Sequence, residues 1–393
     1  MTQKPLRIAV VAGEVSGDLL GADLIAALKT QYDGPVELVG VGGDALEAQG
    51  LVSLFDYSEL SIMGFTQVLA RLPKLISRIR QTASAIVAAR PDALLIVDSP
   101  DFTHRVARRV RAELPDLPVI DYVCPSVWAW KEGRALKMLA YVDHVLAVLP
   151  FEPAVMKRLG GPETTFIGHR LASDPALLRV RSERAARGLP PPETERTIML
   201  LPGSRASEIR KLLPVFGEAA QELVQRGGPM RFVLPTVARR EALVRDILRD
   251  WPLKPEIAVG DEAKWQAFAQ ADAAMAASGT VILELALAGV PTVSAYRTDW
   301  LVKLLAGRIK IWTAALPNLI ADYAVVPEYI NEVVRPGSLA RWVERLSVDS
   351  LQRRAMMEGF ALVQQRLTTP EPPGEAGARI LQQVILARKS GRS

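Results

Sequence analysis

Residues 6–18 read LRIAVVAGEVSGD. Leu6–Ala12 is an almost uninterrupted apolar run, the pattern of a parallel strand buried on both faces. A turn with two glycines, Gly13–Asp18, follows it. Leu20, Leu24, Ala27 and Leu28 then fall on one face of a helix. Strand, glycine-bearing turn and helix make the βα unit of a parallel sheet, and the rest of the chain repeats it. Val36–Val41, Ala93–Val97, Val119–Val123 and His144–Leu149 read as further strands, with helical stretches among them.

The texture changes after residue 172. Arg179–Arg187 is rich in charge and Pro190–Pro192 is a proline run, which together read as a linker over 173–196. Alternation restarts with a strand at Ile198–Leu201, the turn Pro202–Arg205 (PGSR) and a helix over Ile209–Arg226. Strands follow at Met230–Leu234, Glu256–Val259, Ala273–Ala276 and Thr292–Ala295. The tail from Leu339 to Lys389 reads as helical, broken at Pro370–Pro373. The expected organisation is an α/β lobe over 1–172, the linker, a second α/β lobe over 197–345 and a helical tail over 346–393. Two Rossmann-like lobes facing across a cleft would bind ligands beyond the carboxyl ends of their strands.

A chain of 393 residues with 49% hydrophobic and 23% charged residues has the composition of a globular protein. Its net charge of +5 is too small to argue for nucleic acid, although it suits anionic lipid or phosphate where it is clustered. The single cysteine, Cys124, cannot form an internal disulfide and reads as a small buried residue in a reducing compartment. The N-terminus shows no secretory signal pattern, and no stretch reaches the ~20 apolar residues of a spanning helix.

The chemistry-bearing residues sit just after strands. In PGSR, Gly203 permits a tight turn, Ser204 can cap the following helix, and Arg205 can fork onto phosphate oxygens. An ordinary capped turn fits the same four residues. Ser278-Gly279-Thr280 repeats the arrangement after another strand, and Glu284 lies one turn into its helix, placed to accept hydrogen bonds from two ribose hydroxyls. Two such turns in one lobe favour a nucleoside diphosphate. In the first lobe, Asp98 ends a strand in ALLIVDSPDF (93–102). A carboxylate there can serve as general base for an attacking sugar hydroxyl, while Asp101 can cap the next helix. Gly13, Glu14, Ser16, Gly17 and Asp18 form a companion loop for sugar hydroxyls. Asp18 serves equally well as a carboxylate favoured by a helix N-terminus.

The chain has no Asp-x-Asp pair, and His104, His144 and His169 lack ligand spacing, so no metal and no other cofactor is expected. Leaving-group charge would fall to Arg205 and the helix starts. Residues 61–80, SIMGFTQVLARLPKLISRIR, put Val68, Leu69, Leu72, Leu75, Ile76 and Ile79 on one helical face. Arg71, Lys74, Arg78 and Arg80 are their only charges. Either a membrane-surface helix, with Phe65 among its apolar contacts, or a core-facing sheet helix fits this pattern. In CPSVWAWK (124–131), Trp128 and Trp130 suit sugar stacking, an acyl channel or a packed interface.

Several blocks together resemble the lipid-A-disaccharide synthase family: GEVSGDLLGADLIAALK (13–29), GVGGDALEAQG (40–50), SIMGFTQVL (61–69), IVDSPDF (96–102), YVCPSVWAWK (122–131), LAVLPFE (146–152), FIGH (166–169), LLPGSRASEI (200–209), ASGTVILELALAGVPTVSAYR (277–297) and LPNLIA (316–321). The resemblance implies an inverting GT-B glycosyltransferase. It would carry 2,3-diacylglucosamine from its UDP derivative to 2,3-diacylglucosamine 1-phosphate, giving a β-1,6 disaccharide 1-phosphate and UDP. It further implies that Asp98 is the base, that Arg205, Glu284 and Asn318 serve the nucleotide-sugar, that the enzyme works on the cytoplasmic face of the inner membrane, and that a homodimer forms through the C-terminal region. One departure stands out. Where the family often carries an arginine after LPNLIA, this chain has Asp322-Tyr323, with Lys303, Arg308 or Lys310 as the cations that can compensate.

Other classes stay open at this level. They are a lipid-linked N-acetylglucosaminyl transferase, a UDP-sugar epimerase, or a non-catalytic nucleotide- or lipid-binding module. A dinucleotide oxidoreductase would need G-x-G-x-x-G after the first strand, where GEVSGD stands.

Overall fold

The computed structural model describes residues 4–60, 65–191, 193–298 and 310–390, with only the backbone described for 65–72 and 389. The chain forms two compact units. One comprises the residues up to Arg170 together with the segment from Thr369 onward, and the other is Leu171–Thr368.

The first unit contains β1 (Leu6–Ala12), α1 (Val15–Gln31), β2 (Val36–Val41), α2 (Asp44–Ala48), α3 (Phe65–Ala89), β3 (Ala93–Val97), α4 (Pro100–Glu113), β4 (Val119–Tyr122), α5 (Gly133–Met138), β5 (His144–Ala147), α6 (Glu152–Arg158) and β6 (Glu163–Phe166). All six strands are parallel, in the order β2-β1-β3-β4-β5-β6. Alternate residues of the strands feed two cores, one on each face of the sheet. Ala9, Val11, Leu94 and Ile96 pack with α3 and α4. Ile8, Val10, Leu95 and Val97 pack with α1. Burial on both faces explains why these strands read as continuous apolar runs.

The second unit contains α7 (Pro175–Arg187), β7 (Arg196–Leu201), α8 (Ala206–Arg226), β8 (Met230–Thr236), α9 (Ala238–Leu248), β9 (Glu256–Val259), α10 (Asp261–Gln270), β10 (Ala273–Ala277), α11 (Thr280–Ala288), β11 (Thr292–Tyr296), α12 (Leu316–Ala321), β12 (Glu328–Ile330), α13 (Pro336–Leu346) and α14 (Leu351–Leu367). Its parallel sheet runs β9-β8-β7-β10-β11-β12, the 3-2-1-4-5-6 order of the dinucleotide-binding fold.

Both sheets therefore reverse direction once, between β1 and β3 in the first unit and between β7 and β10 in the second. A crevice opens at such a switch point because the two connections leave toward opposite faces. The β1–α1 junction carries GEVSGD, of which Val15–Asp18 already form the first turn of α1, and Asp98 follows β3. The loops after β7 and β10 carry PGSR and Ser278-Gly279-Thr280.

Two expectations about organisation need correction. The segment read as a linker holds the helix α7, capped by Asp174, whose carboxylate accepts from Ala176 N (2.9 Å) and Leu177 N (3.3 Å). Leu177, Val180 and Arg184 are buried on it. Arg184 donates to the carbonyls of Phe268 (3.0 Å), Ala271 and Gly289 (2.9 Å), satisfying the C-terminal ends of α10 and α11. The tail is likewise not one piece. α14 belongs to the second unit, while α15 (Pro373–Ser390) returns to the first and places Ala378, Leu381 and Ile385 in the core against α1.

Candidate functional site

In the second unit, a cavity of about 360 Å3 opens at the β7/β10 switch point. Its lining joins Gly203, Ser204 and Arg205 after β7 to Ser278, Gly279, Thr280 and Glu284 around the start of α11. The two turns that the sequence singled out separately thus belong to one site. Pro235, Thr236 and Val237 after β8, and Gly260, Asp261 and Lys264 around the start of α10, complete the wall. None of these six was anticipated. The rule that ligands sit past strand ends marks 235–237 and 260–261, provided the strands are read to their true ends at Thr236 and Val259.

Local geometry explains the glycines. Gly203 has φ +101°, and a Cβ there would lie 2.4 Å from Glu208 Oε2. Gly279 has φ +155° and nothing within 4 Å of where a Cβ would stand, leaving its bare backbone open to close approach. The first N–H groups of α8 and α11 have no partner within their helices and carry the positive end of the helix dipole, a setting for anionic oxygens. Arg205, not Ser204, is the N-cap residue of α8. Its guanidinium is largely exposed and rests 3.1 Å from Glu208 Oε1, a surface pair of little energy that leaves the side chain available to a ligand. Ser278 donates to Glu328 Oε1 at 3.4 Å.

Glu284 is mostly buried, and Lys264 Nζ lies 3.4 and 3.3 Å from its two carboxylate oxygens. Burial raises the Glu284 pKa, and the Lys264 charge opposes that shift. The same ammonium stands 3.9 Å from the centroid of the Trp265 ring.

In the first unit, Asp98 lies at the β1/β3 switch point. Its Oδ1 accepts from Ser99 N (2.7 Å) and its Oδ2 from Ser16 Oγ (3.3 Å). Asp98 and Ser99 have φ +51° and +46°, consecutive left-handed residues that turn the chain sharply out of β3 into α4. Gly13 makes room for that turn, since a Cβ there would come within 2.8 Å of Ser99. Gly17 packs under Val97 O, 3.1 Å from where its Cβ would be. Glu14 is the N-cap residue of α1. Below Asp98 on β4 is Asp121, fully buried and 3.2 Å from His104 Nε2. His104 Nδ1 meets Tyr141 Oη at 3.0 Å. Burial raises the Asp121 pKa, His104 opposes the shift, and the charge of Asp98 adds to it.

Three expected roles do not survive. Asp18 is buried, and its carboxylate accepts from Gly43 N (2.7 Å), Ala45 N (2.9 Å) and Leu46 N (3.2 Å), so it holds the start of α2 and does not face a sugar. Asp101 lies within the first turn of α4, whose N-cap residue is Ser99. Asn318 is buried and is not among the residues lining the cavity. Its amide accepts from Val325 N (2.9 Å) and Val326 N (2.7 Å) and donates to Thr313 Oγ1 (3.1 Å) and Val326 O (3.0 Å), stapling the loop that runs from α12 to β12.

From Phe65 on, the stretch read as either a membrane-surface or a core-facing helix belongs to the single helix α3, and the apolar side chains described in it lie mainly against the core. Leu75 and Ile79 pack against the core, and Arg78 and Lys74 pair with Glu59 at 2.8 and 3.3 Å. Ile76 faces outward. Residues 61–64 and the side chains of Phe65, Val68, Leu69, Arg71 and Leu72 lie outside the described residues, as do Lys303 and Arg308. Trp128 packs on Phe151 and donates to Glu152 Oε1 (3.1 Å), while Trp130 is exposed. Cys124 is buried. Among the described residues, no helix is long and apolar enough to cross a membrane, and no cluster of three or more His, Cys, Asp or Glu side chains could hold a metal ion.

Two Rossmann-like units, each with its polar residues gathered at a switch point, define the GT-B class of nucleotide-sugar enzymes. The kitacinnamycin glycosyltransferase has the same fold, with a TM-score of 0.62 at 18% identity over 97% of this chain and 100% of that one. So does the UDP complex of Staphylococcus aureus MnaA, with a TM-score of 0.60 at 13% identity over 96% of each chain. At these identities the likeness concerns the fold. Sequence relationships go further. The profile of the lipid-A-disaccharide synthetase family matches residues 8–367, and the lipid-A-disaccharide synthase of Nitrobacter hamburgensis is 46% identical over 386 residues, 98% of this chain and 96% of that one. The chain belongs to the lipid-A-disaccharide synthetase family and is a glycosyltransferase.

Proposed function

We propose that this enzyme joins 2,3-diacylglucosamine, delivered as its UDP derivative, to 2,3-diacylglucosamine 1-phosphate, with Asp98 as general base and the second-unit cavity as the UDP site. The acceptor's 6-hydroxyl attacks the anomeric carbon of the donor. Its proton passes to the Asp98 carboxylate as the new C–O bond forms. The bond from the anomeric carbon to the β-phosphate oxygen breaks, and its electron pair leaves with UDP. Attack opposite the leaving group gives the β-1,6 linkage. The α8 and α11 N-termini and Arg205 meet the charge that develops on the diphosphate, and Glu284 accepts from the ribose hydroxyls.

The observation that carries this reading is the convergence of Gly203–Arg205, Ser278–Thr280 and Glu284 on one cavity at a switch point. The test measures UDP release from the acylated donor with different acceptors, with and without chelator. Release that requires the acylated glucosamine 1-phosphate and persists in chelator supports the assignment. Release triggered equally by unrelated lipid-linked acceptors refutes it.

The substrates are lipids, so we further propose work at an anionic membrane, on the inner face of the inner membrane. Exposed Ile76, Trp130, Leu136 and Leu139 share the first unit's surface with Arg105, Arg109, Lys131 and Lys137, the mixture an anionic interface recruits. A homodimer through the C-terminal helices would cover exposed Leu351 and Leu386.

A further inference from the structure

Lys264 has no part in the reaction as set out above, yet it lies in the wall of the cavity. The Gly260–Asp261 turn opens α10, and Lys264 N donates to Gly260 O at 3.0 Å, so the lysine sits in the first turn of that helix. From there its ammonium lies 3.4 Å from one Glu284 carboxylate oxygen and 3.3 Å from the other, with the Trp265 ring centroid 3.9 Å away. Both side chains are about four-fifths buried (21% and 17% exposed), so neither adopts this geometry by chance of solvent exposure.

A carboxylate recognises a vicinal diol only if it is ionised and its two oxygens are fixed. Each hydroxyl then donates to a charged acceptor. A buried glutamate without a counter-charge takes up a proton or turns away. We propose that Lys264 is a positioning residue that fixes the ionised Glu284 for the two ribose hydroxyls, and so makes the cavity selective for ribo- over 2′-deoxyribonucleoside diphosphates. The inference rests on the UDP site proposed above. The selectivity arises because a 2′-deoxy ligand leaves one buried, charged oxygen short of its donor.

The test is calorimetric titration of the full chain with UDP and with 2′-deoxy-UDP. Wild type is expected to prefer UDP by roughly tenfold to a hundredfold, as for loss of one hydrogen bond to a charged group. Lys264→Met should bring the preference below about threefold, and Lys264→Arg, which keeps the charge, should restore most of it. Should Lys264→Met fail to fold, as judged by its melting curve, Lys264→Gln carries the same comparison. A lysine that touches phosphate, or merely supports the fold, would weaken both nucleotides equally. An unchanged preference in the variant therefore overturns the inference, as does a wild type that binds both ligands alike. Failure of wild type to bind UDP at all instead overturns the UDP site itself.

Discussion

Replacement of Asp98 by asparagine separates chemistry from folding. Residue 98 has φ +51°, where most side chains strain the backbone by roughly 1–2 kcal/mol and asparagine is among the few tolerated. The asparagine Oδ1 keeps the bond from Ser99 N that is 2.7 Å long in the wild type. Its Nδ2 can donate to Ser16 Oγ, which now donates across 3.3 Å and has only to turn its hydrogen. Stability should change by less than about 1 kcal/mol, and UDP affinity should hold because the cavity is formed by the other unit. What is lost is the proton acceptor. General-base catalysis supplies roughly 10²- to 10⁴-fold, which at about 1.36 kcal/mol per decade raises the barrier by about 2.7–5.4 kcal/mol. The assay is steady-state UDP release with acylated donor and acceptor, run beside a denaturation curve. Turnover within about tenfold of wild type in a folded variant would refute the role given to Asp98. By contrast, Asp98→Ala should add backbone strain to the same loss of activity.

Arg205→Ala removes an exposed side chain, so stability should stay within about 0.5 kcal/mol while UDP affinity falls roughly tenfold to a hundredfold by calorimetry. Unchanged affinity would remove Arg205 from the phosphate site. Asn318→Ala should do the reverse. It strands the amides of Val325 and Val326 and destabilises the second unit by about 2–4 kcal/mol in chemical denaturation, with UDP affinity within twofold in the folded fraction. The Glu152 carboxyl, pushed up to about 7 by burial, makes stability depend on pH. The folded state holds this proton more tightly than the unfolded one. Its stabilisation is complete below about pH 4.5, declines as pH rises, and is gone above about pH 7. Denaturation curves across this range should show that decline, and Glu152→Gln should lose it while leaving one oxygen to serve both Trp128 Nε1 and the amides of Val148 and Leu149.

Much of the fold was legible because doubly covered parallel strands leave long apolar runs. β1, β2, β3 and β9 begin and end where the sequence placed them. The strands that escaped notice are β6 and β12, at the sheet edges. ETTF is only partly buried and EYI is three residues long, so neither leaves an apolar run. α7 reads as a linker because its second half is rich in charge and a proline run follows it. Arg184, inside that charged run, is a buried donor to three carbonyls. The site was legible in halves. Turn composition pointed to Gly203–Arg205 and Ser278–Glu284. That they share a cavity follows only from β7 and β10 lying side by side, a pairing between strands remote in sequence. Asp18 and Asn318 read as site residues for one reason: a polar residue near a motif looks the same in sequence whether it faces a ligand or ties down the amides of another segment, Gly43–Leu46 for Asp18 and Val325–Val326 for Asn318.

The return of α15 to the first unit has a consequence for biosynthesis. On a ribosome the chain emerges from its amino end, so residues 171–368 are complete and able to collapse while the earlier sheet still lacks the helix that packs beside α1 on one of its faces. Until Ala378, Leu381 and Ile385 have been translated, the flank of α1 that they seal is exposed greasy surface. α15 therefore completes a core that β1 begins, and a chain cut before Pro373 would keep residues 171–368 whole while leaving that core open along α1.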